Sequence, residues 1–384
     1  MFKYIRAAAI IVTGAKRTRA LAGHPVLREF LYEQAPLSLG VFVLALVVSY
    51  WGYGFLPDAE HPLPVAGIIA PIWHMLWMGF WTGYTMALVG QASGTFSLSY
   101  SASILQFNSI SLSPTSLLIT FINPFGALLG FWRGRQWNLD MALWLCVGAV
   151  LGAPLGPFIR VYFLSDPTPF KACIGVALLI TAVQLWVEIS PWYLRRASRQ
   201  RAFKEKFDQT RVGHRQGGQA AAGLPSHFSI ATLERSWRHV KISYWGQEAT
   251  LPTFAMLLIG FGVGVAGAAL GIGGGFLLVP ILVIVYGLPM YVVVAASIPY
   301  VIVLSAIGLL SYLFLLPLLT GIPTTVDWSF GLFVASGAVF GAWLAAKTQK
   351  FIPESYLKPM LGTITGIVGG LYILNYFYPL PFRI

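Results

Sequence analysis

Hydrophobic residues fill long unbroken blocks of this chain, and polar or basic residues mark the joints between them. Nine blocks carry enough apolar sequence to read as helices. They are Pro36 to Tyr53, Val65 to Val89, Thr115 to Trp132, Leu139 to Tyr162, Phe170 to Ile189, Thr253 to Leu270, Tyr291 to Leu316, Trp328 to Thr348 and Tyr356 to Tyr378. Most approach or exceed the roughly 20 residues that a helix needs to cross hydrocarbon. Two shorter pieces, Thr95 to Phe107 and Phe276 to Tyr286, each follow a cluster of small residues. The pattern predicts an all-α polytopic membrane protein with about nine membrane helices, two of its segments being broken or re-entrant.

The sharper interruption is Gly271-Ile272-Gly273-Gly274-Gly275. Glycine costs a helix interior about 1 kcal/mol relative to alanine, so four glycines in five positions read as a break. Within a bilayer, irregular backbone is tolerated only where protein buries it or a polar cavity is lined by it. The helix resuming at Gly275 would aim free N–H groups and its positive dipole end at such a cavity, which suits an anion. A close helix crossing is the competing reading of glycines in membrane helices. The break is favoured because a second copy exists at Gly90-Gln91-Ala92-Ser93-Gly94-Thr95.

The copy belongs to a longer duplication. Gly79, Gly83, Gly90 and Gly94 match Gly260, Gly264, Gly271 and Gly275 at a spacing of 181. Pro114 and Pro124 match Pro289 and Pro299 at 175, Gly148 and Gly152 match Gly337 and Gly341 at 189, and Lys171 and Gly175 match Lys358 and Gly362 at 187. The order is kept and the spacing drifts little. We read a segment of residues 1–35, an additional transmembrane helix at 36–56, a first repeat at 64–190, a linker at 191–250 and a second repeat at 251–378. Each repeat holds five pieces, an odd number, so the second is expected to be inverted. Paired interruptions in inverted halves point to a transporter's binding site.

Composition agrees: 57% of the 384 residues are hydrophobic and only 10% are charged, against about 25% charged in soluble chains. The net charge of +12 does not indicate nucleic acid, because it is concentrated beside the apolar blocks. Six Lys/Arg fall in residues 1–35 and eleven in residues 191–250. Residues 1–35 are amphipathic and read as an interfacial helix, and the linker is expected to be partly helical. If every piece crosses, all Lys/Arg except Arg160, Lys171 and Arg383 lie on one face, the cytoplasmic one by the positive-inside rule. That places the N-terminus and linker in the cytoplasm and the C-terminus on the opposite side of the membrane.

The breaks nominate the site. Gln91, Ser93, Gly94 and Thr95 come from the first, and the backbone of Gly273, Gly274 and Gly275 from the second. Asn123 and Ser297 stand before prolines in the helices that follow. No Lys or Arg falls in the middle of a predicted span, so neutral donors and helix ends would hold the anion. His74 is a candidate proton relay, since ionisable groups inside a membrane are functional candidates; its neighbours Trp73 and Trp77 equally fit an interfacial position. Glu188 lies near a helix end within reach of water. Asp140 and Asp327 stand at matching helix starts, where caps are expected. Cys146 and Cys173 give no metal or disulfide spacing, and neither a metal nor another cofactor is expected. The absence of a nucleophile with a base, or of a His/Glu metal pattern, argues against an enzyme.

Gly271 to Pro280, reading Gly-Ile-Gly-Gly-Gly-Phe-Leu-Leu-Val-Pro, is followed by Gly287-Leu288-Pro289 and Val294-Ala295-Ala296-Ser297. These motifs resemble the signature of the TauE/SafE sulfite exporter family, also called the 4-toluene sulfonate uptake permeases. The resemblance covers roughly residues 64–378. It implies bacterial inner-membrane transport of sulfite or small organosulfonates around a central anion site, with protons as a candidate coupling ion. Export by alternating access is the expectation; uptake of organosulfonates and a passive anion channel are its alternatives. The first break departs from the family pattern, with Gln and Ser in place of glycines.

Overall fold

A computed structural model describes residues 35–88, 94–126, 139–190, 230–244, 247–288, 290–348 and 354–378. Helix α1 (Ala35–Tyr53) is followed by α2 (Ile72–Leu88), α3 (Gly94–Ser103) and α4 (Leu112–Ile122). Helix α5 (Leu139–Gly152) runs through a short 3₁₀ turn into α6 (Gly156–Tyr162), and α7 (Pro167–Ile189) closes the first half. A three-stranded antiparallel meander follows, β1 (Ile230–Arg235), β2 (His239–Tyr244) and β3 (Gln247–Pro252). The second half holds α8 (Thr253–Leu270), α9 (Gly275–Tyr286), α10 (Met290–Leu310), α11 (Leu316–Thr320), α12 (Trp328–Thr348) and α13 (Glu354–Phe377). A π turn at Ser311–Leu315 joins α10 to α11. Among the described residues, seven helices are long and apolar enough to cross a membrane.

Two sequence expectations change. The linker end at 230–252 is a sheet that the sequence reading does not foresee, while the rest of the linker, expected to be partly helical, lies outside the described residues. Alternation in β2 buries Val240, Ile242 and Tyr244 on one face. The sheet docks on the start of α5, where Arg235 pairs with Asp140 at 3.2 Å and Trp237 meets Trp144 edge-on. The fold is therefore helical with one small sheet. Residues 65–71 do not extend α2. Gly67 adopts a left-handed φ of 67°, and the N–H of Ala66 goes to the Asp327 carboxylate at 3.0 Å. Pro71 then opens the helix.

Glycine lets the two halves embrace crosswise. A side chain at Gly79 or Gly83 of α2 would collide with the backbone of Val334 or Ala338 of α12; one at Gly260 or Gly264 of α8 would press on Leu145 or Ala149 of α5. Val334 and Ala338 lie 189 positions after Leu145 and Ala149, so the contacts repeat at the spacings read from sequence. In return, Gly337 and Gly341 meet Leu76 and Phe80, while Gly148 and Gly152 meet Leu257 and Phe261. The pair α7/α13 packs antiparallel, with Gly175 against Tyr372 and Ile373, and Gly362 against Leu185 and Trp186. These contacts too are matched at 187. Such backbone proximity is how membrane helices associate when lipid supplies no hydrophobic drive.

Helix α12 is the centre, 83% buried over its apolar window, whereas α1 is 17% buried. Paired hydrogen bonds hold α1 against α12: Ser38 and Ser336 exchange hydroxyl-to-carbonyl bonds of 3.0 Å, and Ser49 meets Ser329 at 2.6 Å. Asp327 caps α12 by accepting from the Phe330 N–H at 2.9 Å. Outside the spans, Asp58 accepts from the N–H groups of Glu60 and His61 and from the His61 ring. Those bonds hold the Asp58 carboxyl down to about 2 and raise His61.

Candidate functional site

The second break is a turn that only glycine forms cheaply. Gly271, Gly273 and Gly274 have φ of 80°, 79° and 76°, a region costing other L-residues roughly 1–2 kcal/mol each. Gly271 and Ile272 donate their N–H groups to Gly267 O at 2.9 and 3.1 Å, capping α8. The chain then reverses into α9. At twelve residues α9 is about 18 Å long and α3, at ten, about 15 Å. Neither covers the roughly 30 Å hydrocarbon core, so each half contains a helix that stops partway.

The two breaks converge. A Cβ on Gly94, at the start of α3, would stand 2.7 Å from Ile272 O and 2.7 Å from Thr120 Oγ1. A side chain on Gly273 would collide with the Thr120 methyl and lie 3.2 Å from Ser305 Oγ. Thr120 of α4 is thus wedged between both breaks, and it and Ser305 of α10 both crowd the Cβ position of Gly273. On the same helices, Thr95, Ser116 and Ser305 carry buried hydroxyls with no hydrogen-bond partner among the described residues, in residues exposed by 2% or less. Buried polar groups are nearly always paired. Three such hydroxyls on the helices that flank the breaks make this junction the candidate site.

The sequence candidates divide. Gly94 and Gly273 meet at Thr120, with Thr95 and Gly274 next to them in sequence; Gly274 itself packs on Tyr300, Leu304 and Val263. Gly275 opens α9, and its N–H donates to Gly273 O at 3.0 Å. Asn123 is buried one turn after Thr120, where Pro124 lacks an N–H and the chain tightens through Gly126 N–H to Asn123 O at 3.1 Å. Ser297 is buried, with its hydroxyl bonded back to Val294 O at 3.0 Å. Gln91 and Ser93 lie outside the described residues. His74 lies in the first turn of α2, outside the residues that the glycine contacts bring together. It pairs with Tyr100 OH at 2.8 Å and stacks on exposed Trp73. Glu188, expected to reach water, is instead buried in an ion pair with Lys358 at 2.9 Å and accepts from Gln184 at 2.6 Å.

Sequence reading passed over Ser116, Ser305 and Arg160. Ser113, Ser116 and Thr120 recur at i, i+3 and i+7, a polar stripe on one face of an apolar helix, and that spacing was visible. Arg160 is fully buried in α6. A groove of about 560 Å³ lies elsewhere, between α7 and α13. Its lining is mostly apolar, with Val183, Trp186, Gly366 and Ile367 beside Ser190 and Thr363.

A bundle with paired half-length helices meeting at buried hydroxyls has the architecture of a membrane transporter rather than of a soluble binding domain. The sulfite exporter TauE/SafE family model matches residues 20–185 and 75–372, and the chain belongs to that family of membrane transporters. It is also similar to a probable membrane transporter protein, YunE, of Bacillus subtilis strain 168. The two are 21% identical over 255 residues, 66% of this chain and 77% of the relative. No solved structure matches.

Proposed function

We propose that the chain exports sulfite or a small organosulfonate from the cytoplasm by alternating access. The observation that carries this reading is the junction of Gly94, Gly273 and Thr120 with the unpartnered hydroxyls of Thr95, Ser116 and Ser305. Oxyanions of sulfur accept several hydrogen bonds at once. Neutral hydroxyls and the N-terminal ends of α3 and α9 would supply them without a fixed counter-charge, and so would allow release. The family supports an anion of this class.

The matched collisions support the two-repeat frame. In α7 and α13, equivalent positions face each other across an antiparallel pair. Equivalent helices running in opposite directions are what inverted repeats require. Rocking one repeat against the other would expose the junction alternately to each side. The basic residues support a cytoplasmic N-terminus and linker and a periplasmic C-terminus in a bacterial inner membrane.

Efflux of labelled sulfite from proteoliposomes, with and without an imposed pH gradient, tests the reading. Saturable efflux that follows the gradient is expected. Conductive flux with no dependence on a gradient would favour a channel. No flux, with protection against heat by an organosulfonate, would move the substrate to larger sulfonates.

A further inference from the structure

Arg160 is a cation buried to 0% exposure at the end of a membrane-spanning segment. Among the described residues no carboxylate lies within 4.0 Å of it. Its Nε donates to Ser113 Oγ at 3.1 Å, one terminal nitrogen bonds Leu164 O, and the other reaches Ser109 O at 3.4 Å. Its carbon centre lies 3.9 Å from the centroid of the Phe170 ring. All of these partners are neutral. Ser113 in turn donates to Ala269 O at 3.2 Å, so the carbonyl end of α8 offers partial negative charge through one intermediary. A buried full charge beside a membrane span is usually paired, and a helix end balances only part of it.

The same Ser113 begins the stripe on α4. One turn on is Ser116, with its hydroxyl unpartnered; one further turn on is Thr120, wedged between the breaks. From Ser113 to Thr120 is about 10 Å along the helix. We propose that Arg160 is the docking charge for the transported anion, and that Ser113, Ser116 and Thr120 form the track from it to the junction. This rests on the reading of the chain as an anion carrier and adds a route and an entry charge to it. The long bond to Ser109 O is the weakest of the guanidinium's contacts, and an arriving anion would take that N–H first. In the present conformation the guanidinium is shut away from solvent, so the track belongs to a state in which the turn at Ser109 has moved.

The test uses the full chain in proteoliposomes, with Cys146 and Cys173 replaced by alanine and Ser116→Cys introduced. Methanethiosulfonates bearing either a sulfonate or a trimethylammonium group are compared, each normalised to its rate with a free thiol. The anionic reagent is expected to modify Ser116→Cys about 10-fold faster than the cationic one. Arg160→Gln should abolish that preference and Arg160→Lys should retain part of it. If Arg160→Gln does not fold, the preference in the Arg160 background and its partial retention in Arg160→Lys still decide. Equal rates for both reagents, or an unreactive Ser116→Cys, would overturn the route. If the cysteine-free parent still moves sulfite in that case, the transport reading stands without this path. A clear anionic preference in a protein that moves no sulfite would keep the path and remove the substrate.

Discussion

The two halves share a scaffold and divide the chemistry. Helix α3 carries Thr95, Ser97, Ser99 and Ser101, whereas the matched positions of α9 are Phe276, Leu278, Pro280 and Leu282. On α4 the stripe is Ser113, Ser116 and Thr120; the matched residues of the second half are Leu288, Tyr291 and Ala295. The second half instead contributes three left-handed glycines and Ser305. Packing is repeated because crossing helices need small residues at the same places in both halves. On the proposed reading one anion needs one set of donors, so the polar residues need not repeat. A symmetric frame can therefore hold an asymmetric site, with hydroxyls from one side and bare backbone from the other.

The largest effect should come from the shared frame. Gly152→Leu and Gly341→Leu each drive a side chain into the backbone of the opposite half, at Phe261 and Phe80. Overpacking a tight site costs about 3 kcal/mol, and here the obstacle is backbone, which cannot rotate away. Both variants should lose their monodisperse peak in size-exclusion chromatography. If one folds normally, the crosswise equivalence fails at that crossing.

A smaller effect should separate the matched aspartates. Asp327 is buried and accepts from Phe330 N–H, Ala66 N–H and, at 3.4 Å, Tyr53 OH, tying α1 and the 63–68 turn to α12. Asp140 makes a partly exposed pair with Arg235 of the sheet. Asp327→Ala should cost about 2 kcal/mol, the order of a lost cap plus stranded buried donors. Asp140→Ala should cost under about 1 kcal/mol, as exposed pairs do. Melting temperatures in detergent would rank them; equal losses would mean that the two appendages dock with similar strength.

Much of this frame was legible in sequence. Periodic glycines at fixed spacings are visible because close backbone approach tolerates little else, and the Gly271 to Gly275 turn announces itself by left-handed need. The sheet at 230–252 was missed because a basic linker masks a short alternation of Val240, Ile242 and Tyr244. Arg160 was missed for a different reason. Its position near a block's end fits a residue reaching water, and only tertiary packing by Ser109, Ser113 and Phe170 closes it off. His74 is a candidate from sequence whose partners only the packing reveals: its ring is bonded to Tyr100 OH of α3 and stacked on Trp73. Whether two hydroxyls 210 positions apart, Thr95 and Ser305, face one junction depends on how α3 and α10 pack, and no local pattern encodes that.

The central claim is that both halves touch the same anion. Titration calorimetry of sulfite against the purified protein, with Thr95→Val, Ser305→Ala and the double variant, addresses it directly. Each single change should weaken binding about 10-fold, the order of one hydrogen bond to a charged group, with the ligand-free melting temperature unchanged or raised because an unpaired buried hydroxyl is removed. A double variant weaker than either single one would place first-half and second-half donors on one anion. Loss from one half alone, or unaltered sulfite affinity in the double variant, would contradict the shared site.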